Sequence, residues 1–471
     1  MIRRILTTIL FVVVFQSIVA QMSLREAIDL AIDNNNELQM AKADVEIAKY
    51  NLRDIRGQLF PSINLNASYR LSQNELPKAL LAPAFSISDA LDEPTDNEGI
   101  LGGALDGFVS RMMPDRRQEE ANLAAQISLS QPLFLGGRLI NGIRVLDRIK
   151  TLQEQRYELA LQNTVMTVIH AYFDLYMAQE GLSIQRQALT NAELHLQRVE
   201  NLFEQGLLSE YDKLRAELEV SRLYPEVINF ENMANLAEEN FKRLTGFVGN
   251  VVLAPALDVK TLAFADFEVS LEEALQSASD RRIELYLANL SVDIYQVQLS
   301  AERVNFLPNI LLQADITRYN TSNSFDLNLG NDHFGTMGSV GIVFQMPLFT
   351  GLSNTSKALR SRHELRKSQY EAINATELIN LEVRNSWQSF NQSLRHLEVQ
   401  ERNISLAQRA LTIAQARFQN QTGIQLEVFD AQIQYNAAQI ALSQAKIRII
   451  KDFYALNKAM GHDLTYLIEG V

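Results

Sequence analysis

Two periods alternate along this chain. Over 62–72, Ile63, Leu65, Ala67, Tyr69 and Leu71 take every second position, and Asn64, Asn66, Ser68, Arg70 and Ser72 fill the gaps. That alternation predicts a β-strand with one apolar and one polar face. The same period returns over 124–134, 309–319 and 338–348. There Ile127, Leu129, Ile310, Leu312, Ala314, Ile316, Val340, Ile342, Phe344 and Met346 alternate with Gln126, Ser128, Ser130, Gln313, Asp315, Thr317, Ser339, Gly341 and Gln345. Elsewhere the apolar spacing is three to four. Leu24, Ala27, Ile28 and Ala31, and again Leu271, Ala274, Leu275 and Ala278, predict helices over 23–57 and 270–305. Residues 138–205 and 352–420 contain no proline and are rich in Leu, Ala, Gln, Glu and Arg. They predict two helices of about 67 residues, roughly 100 Å each at 1.5 Å per residue. A helix that long needs a partner along its whole length, as in a coiled coil. Shorter helices are expected over 209–245, with a local interruption at Pro225, and over 426–460.

The order of elements is written twice. "SLREAIDLAIDNNNEL" at 23–38 aligns with "SLEEALQSASDRRIEL" at 270–285, an offset of 247. Further on, "QPLFLGG" at 131–137 aligns with "QMPLFTG" at 345–351 at an offset of 215, which carries on to Gly246 and Gly461. The offset shortens by 32, so the first half holds an insertion of that size between 73 and 124. Each half reads helix, strand, loop, strand, long helix, turn, helix. The expected division is 21–245 for the first repeat, 246–269 for a connector, 270–461 for the second repeat and 462–471 for a tail. Pro61, Pro132, Pro308 and Pro347 are expected at the junctions of helix and strand.

Composition narrows the class. Arg3 and Arg4 followed by the apolar run 5–15, and Ala20 before Gln21, predict a cleaved secretory leader over 1–20. No other run is apolar for long enough to be a transmembrane helix. Cysteine is absent, which removes disulfides, thiolate metal sites and a lipid-bearing N-terminal Cys. The net charge of −13 argues against nucleic acid as a partner. About ten residues per strand is the length of a tilted membrane-spanning strand. Four strands cannot close a barrel, and an open edge cannot sit in lipid. Membrane-spanning strands would therefore require several chains, each contributing four.

With the duplicated plan, the "PLF" corners, "GLLSEYDKLRAE" at 206–217 and "GIQLEVFDAQ" at 423–432, the sequence resembles the TolC family of outer-membrane efflux and export proteins over about 23–461. The resemblance implies an α+β membrane protein of a Gram-negative bacterium. Three chains would form one twelve-stranded β-barrel in outer-membrane lipid, continued by a coiled-coil helical tunnel in the periplasm. It implies an exit duct that works with a periplasmic adaptor and an inner-membrane RND or ABC transporter. It also implies closure of the periplasmic end by acidic rings. The matching residues are Glu427 and Asp430, expected as the gating and selectivity ring, with Tyr211, Asp212 and Arg215 as latch partners. The hairpin ends Gly206, Leu207, Leu208, Ser209, Thr422, Gly423 and Ile424 resemble tips that dock an adaptor, with Gly206 and Gly423 permitting the reversals. The plainer reading of the acids is a set of solvated helix-start carboxylates.

Chemistry is thinly represented. There is no HExxH, P-loop or GxSxG, and the six histidines lack ligand spacing. No enzyme activity, metal or cofactor is expected. Trp387 falls opposite Tyr172 in the repeat and is expected to be an aromatic packing position. The insertion, by topology an extracellular loop, reads as a tolerated surface insertion. A rival class is a periplasmic or surface coiled-coil scaffold or adhesin, which accounts for the helices and leaves the four strands unexplained.

Overall fold

The computed structural model describes residues 21–75, 95–112, 117–249, 251–253, 267–322, 329–420 and 422–469. The expected leader over 1–20 lies outside them, as do 76–94 of the insertion and 254–266 of the connector. The chain forms two compact units, one of residues 51–146 and 297–362 and the other of the remainder.

The first unit holds a four-stranded antiparallel sheet. Its strands are β2 (Ser62–Glu75), β3 (Arg117–Leu135), β5 (Asn309–Ser322) and β6 (Gly335–Gln345), hydrogen-bonded in the order β2-β3-β5-β6. The register carries the alternation across all four. Ile63, Leu129, Ala314 and Val340 form one row, and Leu65, Ile127, Ile316 and Gly338 the next. Between them, on the opposite face, lie rows such as Asn64, Ser128, Asp315 and Ser339. Over these rows one face is thus apolar and the other polar; further along, Arg318 and Thr336 share the row of Ala67 and Ala125. Among the described residues, β2 and β6 each have one edge with no strand beside it. The strands of the first repeat run past the alternating stretches and into the insertion. There a 17-residue helix, α3 (Asp96–Met112), also forms, begun by Glu98 accepting a hydrogen bond from Thr95 Oγ1 at 2.6 Å. The insertion is therefore ordered helix and strand over these residues, where a loop was expected.

The repeated corners are left-handed turns. Gly136 has φ 62° and Gly351 has φ 60°. The following positions, Gly137 and its repeat equivalent Leu352, have φ 80° and 66°, so the second corner holds a leucine where the first uses glycine. A Cβ at Gly136 would lie 2.9 Å from Leu307 Cβ, whereas at Gly351 it would meet nothing within 4 Å. Gly351→Ala is therefore expected to destabilise by about 1 kcal/mol, the left-handed penalty alone. Gly136→Ala should cost clearly more, because overlap is added to strain. Comparing the two unfolding midpoints tests this, and equal losses would refute it. The prolines are not equivalent either. Pro61 and Pro308 precede β2 and β5, and Pro347 follows β6. Pro132 instead lies inside β3, where the register shifts between Pro132 and Phe134. Without an N–H it cannot complete the ladder, and the strand absorbs it as an irregularity rather than ending.

The second unit is mainly helical. It contains β1 (Gln21–Met22), α1 (Leu24–Asn34), α5 (Glu210–Thr245), β4 (Val252–Leu253), α6 (Leu271–Arg281), α9 (Gln425–Ala459) and α10 (Leu464–Glu469). Four helices have residues in both units: α2 (Asn36–Gly57), α4 (Arg138–Glu204), α7 (Ile283–Arg303) and α8 (Ser353–Gln419). α4 and α8 are 67 residues each. α5 continues unbroken through Pro225, so the expected interruption is absent. Conversely, 23–57 and 270–305 are not single helices. Each breaks once, at Asn35 and at its repeat equivalent Arg282, both in extended backbone. Asn35 explains its own break: its Oδ1 accepts from the N–H groups of Glu37 and Leu38 and so caps α2.

Matching contacts recur in the two repeats. Ser23 with Glu26 and Ser270 with Glu273 form equivalent capping boxes at the starts of α1 and α6. The residue before each box is anchored by an aromatic donor. The Tyr172 hydroxyl donates to Met22 O at 3.1 Å, and its counterpart Trp387 donates through Nε1 to Val269 O at 2.9 Å. These donors join a core that includes Ala27, Ala274, Phe241, Phe390, Ile449 and Leu456. Burial raises the Tyr172 phenol to about 12, so it stays a hydrogen-bond donor at any ordinary pH.

Candidate functional site

The expected site residues sit at two hairpins, α4 to α5 and α8 to α9. The first hairpin turns on Gly206, whose φ of 74° ends α4 with hydrogen bonds from its N–H to Phe203 O and from Leu207 N–H to Leu202 O. Ser209 then caps α5. Its Oγ accepts from Asp212 N–H, while the Asp212 carboxylate accepts from Ser209 N–H at 3.1 Å and from its hydroxyl at 2.6 Å. Asp212 therefore serves its own helix start. Leu207 and Tyr211 are exposed.

The second hairpin is built differently. Thr422 and Gly423 both send their N–H groups to Arg417 O. Gly423 does not have positive φ, so unlike Gly206 it does not permit its reversal through a left-handed backbone. Space is what demands glycine: a Cβ would lie 2.9 Å from Arg417 Cβ and 3.1 Å from Glu427 Oε2. Ile424 stands at the N-cap of α9 with no side-chain hydrogen bond. Glu427, the repeat equivalent of Asp212, has no cap to serve. It pairs with Arg417 at 3.1 Å, both side chains partly exposed. Asp430 is exposed one turn further on. Among the described residues, no hydrogen bond or ion pair within the chain joins Tyr211, Asp212 or Arg215 to Glu427 or Asp430. The latch expected between these two groups is thus not formed inside one chain.

What does join the hairpins is an apolar knot that sequence patterning missed. Val199 of α4, Ala216 of α5 and Phe429 of α9 are buried together, with Leu196 and Leu208 against them. His195 lies between two phenylalanines, its ring centroid 5.5 Å from Phe418 and 5.1 Å from Phe429. Its Nε2 is buried without a hydrogen-bond partner. Burial, and then Arg198, push its pKa down, so the ring is neutral and packs as an aromatic. Arg417 was also missed. The signal was present as opposite charges flanking the "QTG" turn, ten residues apart. No group of acids and histidines among the described residues could hold a metal ion.

The profile of the family described as "Outer membrane efflux protein" matches residues 27–247 and 274–462, one segment for each repeat. The chain belongs to this family. It is 22% identical over 439 residues to the outer membrane protein TolC of Vibrio cholerae, covering 93% of this chain and 90% of that one. It is 23% identical over 327 residues to the alkaline protease secretion protein AprF of Pseudomonas aeruginosa, covering 68% and 66%. Its fold matches the Campylobacter jejuni CmeC outer membrane channel with a TM-score of 0.71 at 17% identity, over 95% of this chain and 88% of that one. Membership in the family accounts for the paired matches: each profile segment covers one helix-sheet-helix repeat.

Proposed function

We propose that this protein is the exit duct of an efflux or secretion system in the outer membrane of a Gram-negative bacterium. Three copies close one twelve-stranded barrel, in which β6 of each copy pairs with β2 of the next. The observation that carries the reading is the two-faced sheet. Its apolar rows suit lipid, its polar rows suit a water-filled lumen, and its two open edges require neighbours. A scaffold or adhesin in water would leave the apolar rows exposed. The helices support assembly as well. α8 exposes Val399, Leu406 and Ile413 at intervals of seven, and α5 exposes Leu214, Leu218, Ile228 and Leu236. These are stripes for helices of neighbouring copies. The hairpin tips, Gly206 to Ser209 and Thr422 to Ile424, would dock a periplasmic adaptor. The adaptor would in turn couple the duct to an RND or ABC transporter of the inner membrane. Relatives of the chain include both an alkaline protease secretion protein and an outer membrane efflux protein, so cargo would follow the transporter.

Gating is assigned to Glu427 and Asp430, repeated three times about the axis, with Arg417 restraining Glu427 in each copy. Like carboxylates brought close repel and attract cations. In planar bilayers the wild type should show a small, cation-selective conductance. The Glu427→Ala, Asp430→Ala double variant should conduct several-fold more with weaker cation preference. A pore indifferent to the substitutions keeps the duct and removes the gate. A folded trimer that never conducts removes the duct.

A further inference from the structure

All four strands meet helices at one end of the sheet. Ser62 pairs with Ser130, Leu135 with Asn309, and Asn309 with Gln345, so the starts of β2 and β5 and the ends of β3 and β6 lie together. The helical segments joined at that end are 51–61, 138–146, 297–306 and 353–362. Together they carry eight lysines and arginines against two carboxylates, Asp54 and Glu302, in a chain of net charge −13. This collar is the charge inverse of the rest of the molecule.

At the collar lies a cavity of about 410 Å³, lined among others by Arg138, Lys357, Arg360, Glu302, Asn305 and Asn354. Glu302 accepts from Asn305 Nδ2 at 2.7 Å, and Asn354, nine-tenths buried, donates to Asn305 O at 3.4 Å. Three cations thus share one cavity with one carboxylate. The first turns of α4 and α8 hold no acid, although helix starts favour one, and Arg138 stands in that turn of α4 instead. Exposed Phe60, Leu348 and Phe349 flank the same end of the sheet. A cationic cavity beside exposed apolar side chains matches a ligand with a phosphate head and an acyl tail.

We infer that this cavity binds the headgroup phosphate of an anionic phospholipid in the periplasmic leaflet, held by Arg138, Lys357 and Arg360. The inference rests on the membrane-spanning reading of the sheet. Basic pockets at membrane level recognise anionic headgroups by the same charge pairing. Lipid bound there would fix the depth of the barrel and brace the corners at Gly136 and Gly351.

The test is native mass spectrometry of the purified full-length protein, titrated separately with phosphatidylglycerol and phosphatidylcholine, with conductance recorded in zwitterionic bilayers alongside. Wild type should retain phosphatidylglycerol preferentially, and the preference should fall by about fivefold for each cation removed. Lys357→Gln alone should show one such step, and the Arg138→Gln, Lys357→Gln, Arg360→Gln variant three. Removing Arg384, Arg402 and Arg409 from elsewhere on α8 should leave the preference intact. A pore-forming wild type that retains both lipids equally overturns the site and leaves the duct standing. An equal loss in the α8 control overturns it too, because the effect would then be general charge. Thermal protection by inorganic phosphate equal to that by the lipid overturns the lipid assignment. A wild type with no pore in any bilayer sinks the membrane reading and the site with it.

Discussion

Ile127→Arg is expected to abolish insertion of the barrel, while Gln126→Arg, one residue away, should insert and conduct. Ile127 sits in the row with Leu65 and Ile316, near the middle of the apolar face; Gln126 faces the other way with Asn66 and Thr317. An arginine facing lipid at the bilayer midplane costs about 2–4 kcal/mol, and a trimer would carry three. An arginine in the lumen stays hydrated and should shift selectivity toward anions. Heat-modifiable trimers counted in outer-membrane fractions separate the two variants. Equal insertion would mean that the apolar rows do not face lipid, and the barrel reading would fail.

Arg282→Ala should produce the largest loss of stability from any single polar side chain in the helical unit. The Arg282 side chain is 5% exposed. Its guanidinium donates to Glu382 through both terminal nitrogens, at 3.3 and 2.7 Å, and to Lys458 O at 2.9 Å. Its Nε lies 2.9 Å from Glu284 but is not aimed at it, a charge contact without a hydrogen bond. One group therefore ties α6, α7, α8 and α9. Removing one member of a buried pair costs about 3–5 kcal/mol when the other is left buried. Glu382 is 46% exposed and can rehydrate, so the expected loss lies at the lower end of that range. Arg282→Lys should recover only part of it, since an ammonium cannot make the forked contact. Denaturant unfolding of the three proteins decides the matter. An alanine variant as stable as wild type would show that the guanidinium is solvated in the assembled channel.

The strands and the repeat were legible because both are patterns of residue type at fixed spacing. Alternation marked which side chains share a face, and the paired offsets marked the duplicated plan. Junction details were less legible. Asn35 and Arg282 break their helices for different reasons, one through its own amide and the other within a buried ionic cluster; only the first is a local signal. Pro132 was misplaced because a strand can absorb a missing N–H as an irregularity. The gate shows the same limit. Asp212 and Glu427 align in the repeat, yet Ser209 claims the first as a helix cap, while Ile424 leaves the second to Arg417. Identical alignment positions thus diverge through one neighbour each. The knot around His195 was invisible because it joins residues more than 200 positions apart.

The pairing of β3 with β5 has a kinetic meaning. It stitches the two halves of the duplicated chain along fourteen residue pairs from Ala121 to Leu135. That junction forms at the effective concentration of a tethered partner, whereas the junction of β6 with β2 awaits diffusion of another molecule. In a closed ring of three copies, half of the junctions between repeats are thus guaranteed by covalent linkage. Ring closure then depends on the third power of chain concentration, where an unfused ancestor of single repeats would depend on the sixth. Carrying both repeats on one chain thus lets such a ring assemble from far more dilute subunits, and it gives each subunit two hairpins of different build.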